Sequence, residues 1–285
     1  MSLNRRCFFF VFYCSIIVAH FSGMNINKLF FTSVLLFLCV LLLYGVEPPM
    51  FVAHRGGAGD GLENSLSCIE RSIRMGADAV EVDARLTADG HVVVCHDATV
   101  NATTNGRGRV AKLTLQQVQA LRMVDSNGVA TNESIPTLKQ VLRLVGGRCG
   151  VLVDVKEGGR GMEEILIEDI AACGADDWVA VQAFSDDVLS RLHELGAPFP
   201  LEKLIVFKLP FLPFIYDGSL RYFSFEKYSY ISSFNFHRNC LPRSLAAKIK
   251  ARGKCVKVWT LRSPADAPRV AVDGVIADNP SLWLK

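Results

Sequence analysis

Concentrated charge of one sign is what this 285-residue chain lacks most clearly. Residues 50–285 hold 28 Lys and Arg against 27 Asp and Glu, with no basic tract. Proteins that coat nucleic acid show clustered basic charge, so a nucleic-acid partner is not expected. The nine cysteines include no C-x-x-C pair, and the six beyond residue 49 (Cys68, Cys95, Cys149, Cys173, Cys240, Cys255) are scattered. This is neither a zinc pattern nor a disulfide framework, and buried free thiols are the simpler reading. No internal repeat or low-complexity tract is present. Half the residues are apolar, which excludes wholesale disorder.

The apolar excess is local. Phe8–Gly23 and Leu29–Val46 contain no Asp, Glu, Lys or Arg. Leu29–Val46 has about the minimum length for a helix across a roughly 30 Å hydrocarbon core, and Pro48-Pro49 ends it. With no polar face at any helical spacing it does not read as a buried core helix. It reads as an uncleaved anchor, with a signal peptide as the competitor, although no clear small-x-small cleavage site follows. Residues 1–49 are thus expected to be a hydrophobic membrane segment, single-pass or two-pass. If both runs span, Arg5-Arg6 stay in the cytosol and so does the main domain. If translation starts at Met24, one crossing puts that domain on the secretory or lumenal side. The sequons at Asn101 and Asn132 support the second topology only weakly.

From residue 50 onward, short apolar runs alternate with amphipathic stretches. Residues 50–54, 79–86, 91–96, 149–156, 178–184, 203–207, 254–259 and 274–278 read as strands, and Tyr230–Phe234 is a ninth candidate. Glu63–Met75, Thr114–Leu121, Pro136–Val145, Met162–Cys173, Ser185–Leu195 and Pro242–Arg252 have helical spacing, with Ser185 and Ser244 as helix starts. Alternation of this kind predicts an α/β fold with a parallel sheet. The number of strands suits a TIM-type (β/α)8 barrel over 50–285, with a small insertion at about 97–135 after the third strand. Pattern alone does not say which of the nine strands lies outside the barrel.

Residues i and i+2 of a strand share a face. Glu81, Asp83 and Arg85 therefore point one way, and Asp154 and Lys156 repeat the arrangement. On one half-exposed strand such polar residues merely face water. Inside a parallel barrel, three unpaired carboxylates are costly and call for a hard divalent cation, Mg²⁺ or Ca²⁺. His54 and His96 each end a strand, where a barrel delivers catalytic side chains, and suit general acid and base work. Arg55 and Lys156 add fixed positive charge for a phosphate oxygen. His20, His91, His193 and His237 read as ordinary capped or core histidines.

Taken in order, HRG (54–56), LENSL (62–66), EVDARLTADG (81–90), HD (96–97), TTNGRGRV (103–110), IPTL (135–138), DVK (154–156), VWT (258–260) and DGVIADNP (273–280) resemble the glycerophosphodiester phosphodiesterases. The resemblance covers essentially all of residues 50–285. It implies a TIM-type barrel that releases an alcohol and glycerol 3-phosphate, with one divalent cation. It implies His54 and His96 as the acid/base pair, Glu81, Asp83 and Asp154 as metal ligands, and Arg55 and Lys156 on the phosphate. Glu63 and Asn64 would buttress the first loop, and Trp259 would wall the alcohol pocket. Asp154 replaces the usual Glu, Leu62 a Pro, and Ala102, Arg262 and Ala277 stand where Arg, Asn and Thr are common. The last three bear on substrate preference. The expected substrate is a small phosphodiester. A lysophospholipid cleaved by a lysophospholipase D action is the first alternative, and a non-catalytic, membrane-tethered phosphoester-binding barrel the second.

Overall fold

The computed structural model describes residues 48–206 and 225–284. Phe8–Gly23 and Leu29–Val46 lie outside them, as does most of the aromatic stretch that begins at residue 208. Among the described residues no helix is long and apolar enough to cross a membrane.

Eight strands run parallel: β1 (Met50–Ala53), β2 (Ala79–Leu86), β4 (Gly150–Val155), β5 (Val179–Ala183), β6 (Leu201–Ile205), β7 (Ile231–His237), β8 (Cys255–Leu261) and β9 (Gly274–Ala277). The sheet closes because β1 pairs in parallel with both β9 and β2. The candidate at Tyr230–Phe234 is thus a barrel strand, and the one left outside is β3 (Val92–Val94), which lies antiparallel on β2. Connection length explains this. Parallel strands need a crossover of a dozen or more residues, whereas residues 87–91 make only a tight turn. Thr87 Oγ1 anchors that turn, donating to Asp89 Oδ1 at 2.7 Å and accepting from the His91 N–H at 2.9 Å. The expectation that His96 ends a barrel strand is therefore corrected. It follows a strand running back down the barrel wall, where the Cys95 N–H donates to the Asp83 carbonyl.

Helices cover the outside of the barrel. α1 (Leu66–Arg74) is capped by Ser65, and α2 (Leu115–Ala120) by a box between Thr114 and Gln117. α3 (Leu138–Val145) has a matching box from Thr137 and Gln140, and α4 (Met162–Ala171) follows β4. α5 (Asp186–Glu194) starts at Ser185 as its sequence predicts. α6 (Arg243–Lys250) has Pro242 at its N-cap position with no side-chain capping bond, so Ser244 falls inside its first turn instead of starting it. α7 (Pro280–Trp283) closes the described chain, held by Asp60, which accepts from the Ser281 N–H and hydroxyl. Between β8 and β9 there is a 3-10 turn, Pro264–Asp266, where a regular (β/α)8 barrel would have a helix. Pro264 and Pro268 rule out a continuous helix there. Residues 97–135 form a satellite with its own small core of Val93, Cys95, Val100, Val110, Val118, Met123 and Ile135.

The outward face of each strand packs under the helices, with Val80, Val82, Val151, Val153, Val181 and Val258 all buried. The inward face is polar at mid-height. Lys257 Nζ donates to Glu202, and Asn235 Nδ2 donates to both Gln182 Oε1 and Glu202 Oε2 at 2.7 Å. Removing one partner of a buried ion pair strands the other, at a cost of roughly 3–5 kcal/mol. K257M is therefore expected to lower the urea-unfolding free energy by about that much, with the E202Q/K257M double variant recovering part of it. A loss below about 1 kcal/mol in K257M would show the network to be energetically idle.

Candidate active site

The C-terminal ends of β1, β2 and β4 bring together most of the residues singled out in the sequence. Glu81 and Asp83 lie on the inward face of β2, Asp154 beside them on β4, and all three are buried. One carboxylate oxygen from each falls within 4.8 Å of the others. Lys156 Nζ reaches Asp83 Oδ1 and Asp154 Oδ2, both at 2.6 Å. Burial opposes the lysine's charge, yet the Asp154 and Asp83 carboxylates hold its pKa above the ordinary value. Burial, helped by the Asp83 charge, pushes the Glu81 carboxyl up to about 8. Asp83 stays below the ordinary carboxylate value: burial acts against this, but Lys156 and the Asn64 hydrogen bond outweigh it.

Whether a cation suits this cluster depends on what the oxygens lack. Asp154 Oδ1 is buried with no hydrogen-bond partner among the described residues. Asp83 Oδ1 also lacks a hydrogen bond of good geometry, although Lys156 neutralises it as an ion pair. Buried anionic oxygens without partners are expensive. A donor set made only of carboxylate oxygens is that of a hard divalent ion, so Glu81, Asp83 and Asp154 could hold one.

The loop after β1 wraps this cluster. Gly56 and Gly57 adopt φ of +74° and +104°, and a Cβ on Gly57 would come within 2.6 Å of Ser72 Oγ. The turn thus packs too closely on α1 for a side chain at that position. It aims the Arg55 N–H at Glu81 Oε2, 2.7 Å away, while Arg55 Nη1 donates to Glu63 Oε2 at 2.8 Å. Asn64, itself at φ +60°, donates from Nδ2 to Asp83 Oδ2 at 2.7 Å and accepts from the Asp83 N–H at 3.2 Å. Glu63 thus holds a guanidinium and Asn64 a carboxylate of the cluster.

His54 Nδ1 lies 2.6 Å from Asp278 Oδ1, and its Nε2 is 3.9 Å from Glu81 Oε2. Burial alone would lower the His54 pKa, but the Asp278 hydrogen bond and the Glu81 charge carry it above the ordinary value. His96 Nδ1 lies 2.9 Å from Asp97 Oδ1, and the ring is more exposed than that of His54. The His96 carbonyl accepts from Arg85 Nε at 3.0 Å and Nη2 at 2.7 Å. Arg85, placed by the sequence on the face of Glu81 and Asp83, therefore fixes the backbone that carries His96.

A cleft of about 470 Å³ opens beside His54 and Arg55 towards β7 and β8, lined also by Glu63, His237, Arg238, Trp259, Arg262 and Asp278. Trp259 Nε1 donates to the Asn235 carbonyl at 2.8 Å, and the ring packs edge-on against His237 and Phe184. His237, read from sequence as an ordinary core or capped residue, instead faces this cleft. His193 stacks on Tyr230 away from it. Asp278 was part of the matched DGVIADNP motif, but nothing in its local pattern ties it to His54. The pairing spans the barrel closure between β9 and β1, which linear spacing does not encode.

The profile of the Glycerophosphoryl diester phosphodiesterase family matches residues 54–282. A Glycerophosphodiester phosphodiesterase of Caldanaerobacter subterraneus is 32% identical over 82% of this chain and 96% of its own length. The fold is that of a glycerophosphodiester phosphodiesterase from Agrobacterium tumefaciens, with a TM-score of 0.67 and 22% identity over 84% of this chain and all of that one. An Oleispira antarctica phosphodiesterase, solved in complex with the product sn-glycerol-3-phosphate, also superposes with a TM-score of 0.67 at 23% identity, over 83% of this chain and 95% of that one. With the profile running from the His54 turn to α7 and a full-length relative above 30% identity, this chain belongs to the glycerophosphodiester phosphodiesterase family, a family of phosphoric diester hydrolases.

Proposed function

We propose that the chain hydrolyses glycerophosphodiesters to an alcohol and glycerol 3-phosphate, with His54 and His96 exchanging protons and one divalent cation, Mg²⁺ or Ca²⁺, held by Glu81, Asp83 and Asp154. The observation that carries this reading is the three-carboxylate cluster with its orphaned Asp154 oxygen, set beside two histidines and two fixed cations. The product-bound relative from Oleispira antarctica supports the choice of product. When bound, the cation would offset the carboxylates' charge and polarise a phosphoryl oxygen.

Each histidine is presented the same way. Asp278 accepts a hydrogen bond from the Nδ1–H of His54 and Asp97 one from that of His96, leaving Nε2 of each ring for the reaction. One ring removes a proton from the attacking water as its oxygen bonds to phosphorus. The other protonates the alcohol oxygen as its bond to phosphorus breaks. Arg55 and Lys156 stabilise the charge that gathers on the phosphoryl oxygens. A second substrate class, lysophospholipids, is favoured by one observation. Phe184 is 40% exposed at the C-terminal end of β5 and packs edge-on against Trp259, an apolar shelf beside the cleft for an acyl chain.

Phosphorus NMR of glycerophosphocholine with the full chain tests the reaction. Glycerol 3-phosphate is expected with Mg²⁺ or Ca²⁺ and not with EDTA, and H54A and H96A should each lose about 10²–10⁴ in rate. Release of phosphocholine would mean that the scissile bond is misassigned. Binding without turnover, on this substrate and on lysolipid micelles, would favour a binding module. The Asp278 carboxylate raises the His54 pKa, so D278N is expected to lower it in an NMR titration of the ring proton and reduce its protonated fraction at neutral pH. An unchanged His54 titration in D278N would contradict the assigned pairing.

A further inference from the structure

Among the described residues, the charges lining the cleft pair off with one exception. Arg55 is held by Glu63 at 2.8 Å, His54 by Asp278 at 2.6 Å and Arg238 by Asp266 at 3.0 Å. The carboxylates lining the cleft, Glu63 and Asp278, are both engaged. Arg262 differs. Its backbone N–H donates to Asp266 Oδ2 at 3.0 Å, but its guanidinium has no ion pair or hydrogen bond among the described residues. It stands exposed on the cleft wall, just past the end of β8 and three residues beyond Trp259. Asp266 feels the Arg262 charge, but its ion pair is with the Arg238 guanidinium and none is made with that of Arg262. Burial, with the Arg238 charge, keeps His237 below the ordinary histidine value, which disfavours a positive charge on that ring.

Among the described residues, the β8 side of the cleft therefore offers one guanidinium without an ion pair and no carboxylate left without a partner. A guanidinium is a planar fork of donors that matches the oxygens of a carboxylate or phosphate. A cationic alcohol such as choline would meet like charge there with no free carboxylate to receive it. We propose that Arg262 determines substrate choice by receiving an anionic group, phosphate or carboxylate, on the alcohol of the diester, so that acidic alcohols are preferred to cationic ones. This inference rests on the phosphodiesterase reading and names the substrate class of that same site.

The test compares kcat/KM of the full chain, with Mg²⁺ at low salt, for glycerophosphoglycerol and for the same diester carrying a phosphate on its terminal hydroxyl. The wild type should favour the phosphorylated diester about tenfold, which corresponds to ~1.4 kcal/mol. R262A should bring the ratio to within about twofold, R262K should keep much of it, and R262E should reverse it. The preference should shrink as salt rises, because the group is exposed. A third diester, with a carboxylate replacing the terminal phosphate, tells the two anions apart, and preference for either supports the proposal. A wild-type ratio near one, or a ratio that R262A leaves unchanged, overturns it. Turnover of none of these diesters would instead contradict the phosphodiesterase reading. Calorimetric binding of the same pair to EDTA-treated protein then reads the preference without chemistry, and equal affinities in wild type and R262A would overturn the role of Arg262 by itself.

Discussion

Three carboxylates crowded into the mouth of a closed barrel are held there only if positive charge accompanies them, and much of the local architecture serves that condition. Lys156 bridges Asp83 and Asp154, the Arg55 N–H reaches Glu81, and Asn64 holds Asp83 from the side. The loop that supplies Arg55 and Asn64 places both at positive φ, conformations that persist only where the surroundings fix them. Gly56 and Gly57 press that loop onto α1, and Asp60 at its far end ties down α7. Repulsion within the cluster is thus balanced by groups from separate segments, which explains why so many distant residues converge on β2.

Division of labour around the rim follows from the strand order. β2 and β4 carry the carboxylates and Lys156, β1 carries His54 and Arg55, and the hairpin on β2 returns His96 to the height of Asp83. β7, β8 and β9 contribute no member of the acidic cluster. They supply the cleft wall of His237, Arg238, Trp259, Arg262 and Asp278. The acidic cluster and the cleft wall therefore sit on adjoining arcs of one barrel, joined where β9 pairs with β1.

Much of this was legible in the sequence because period two and strand-helix alternation survive folding unchanged. Glu81, Asp83 and Asp154 face inward as their spacing requires, and the cap at Ser185 falls where the sequence signal lies. The family motifs assigned roles to residues that pattern alone could only place. Three features escaped. The reversed direction of β3 was hidden because an apolar run reads alike in either direction, and only the short turn at 87–91 betrayed it. The pairing of His54 with Asp278, across 224 positions, depends on ring closure between the first and last strands. The mid-barrel network of Gln182, Glu202, Asn235 and Lys257 joins single polar residues from four strands, each unremarkable in its own segment.

Whether Glu81, Asp83 and Asp154 form one divalent-cation site is decided by calorimetric titration of EDTA-treated protein with Mg²⁺ or Ca²⁺. One ion per chain in the wild type, with affinity lost in D154N while the fold is kept by circular dichroism, is the predicted result. Absence of binding in the wild type, or undiminished binding in D154N, would contradict it.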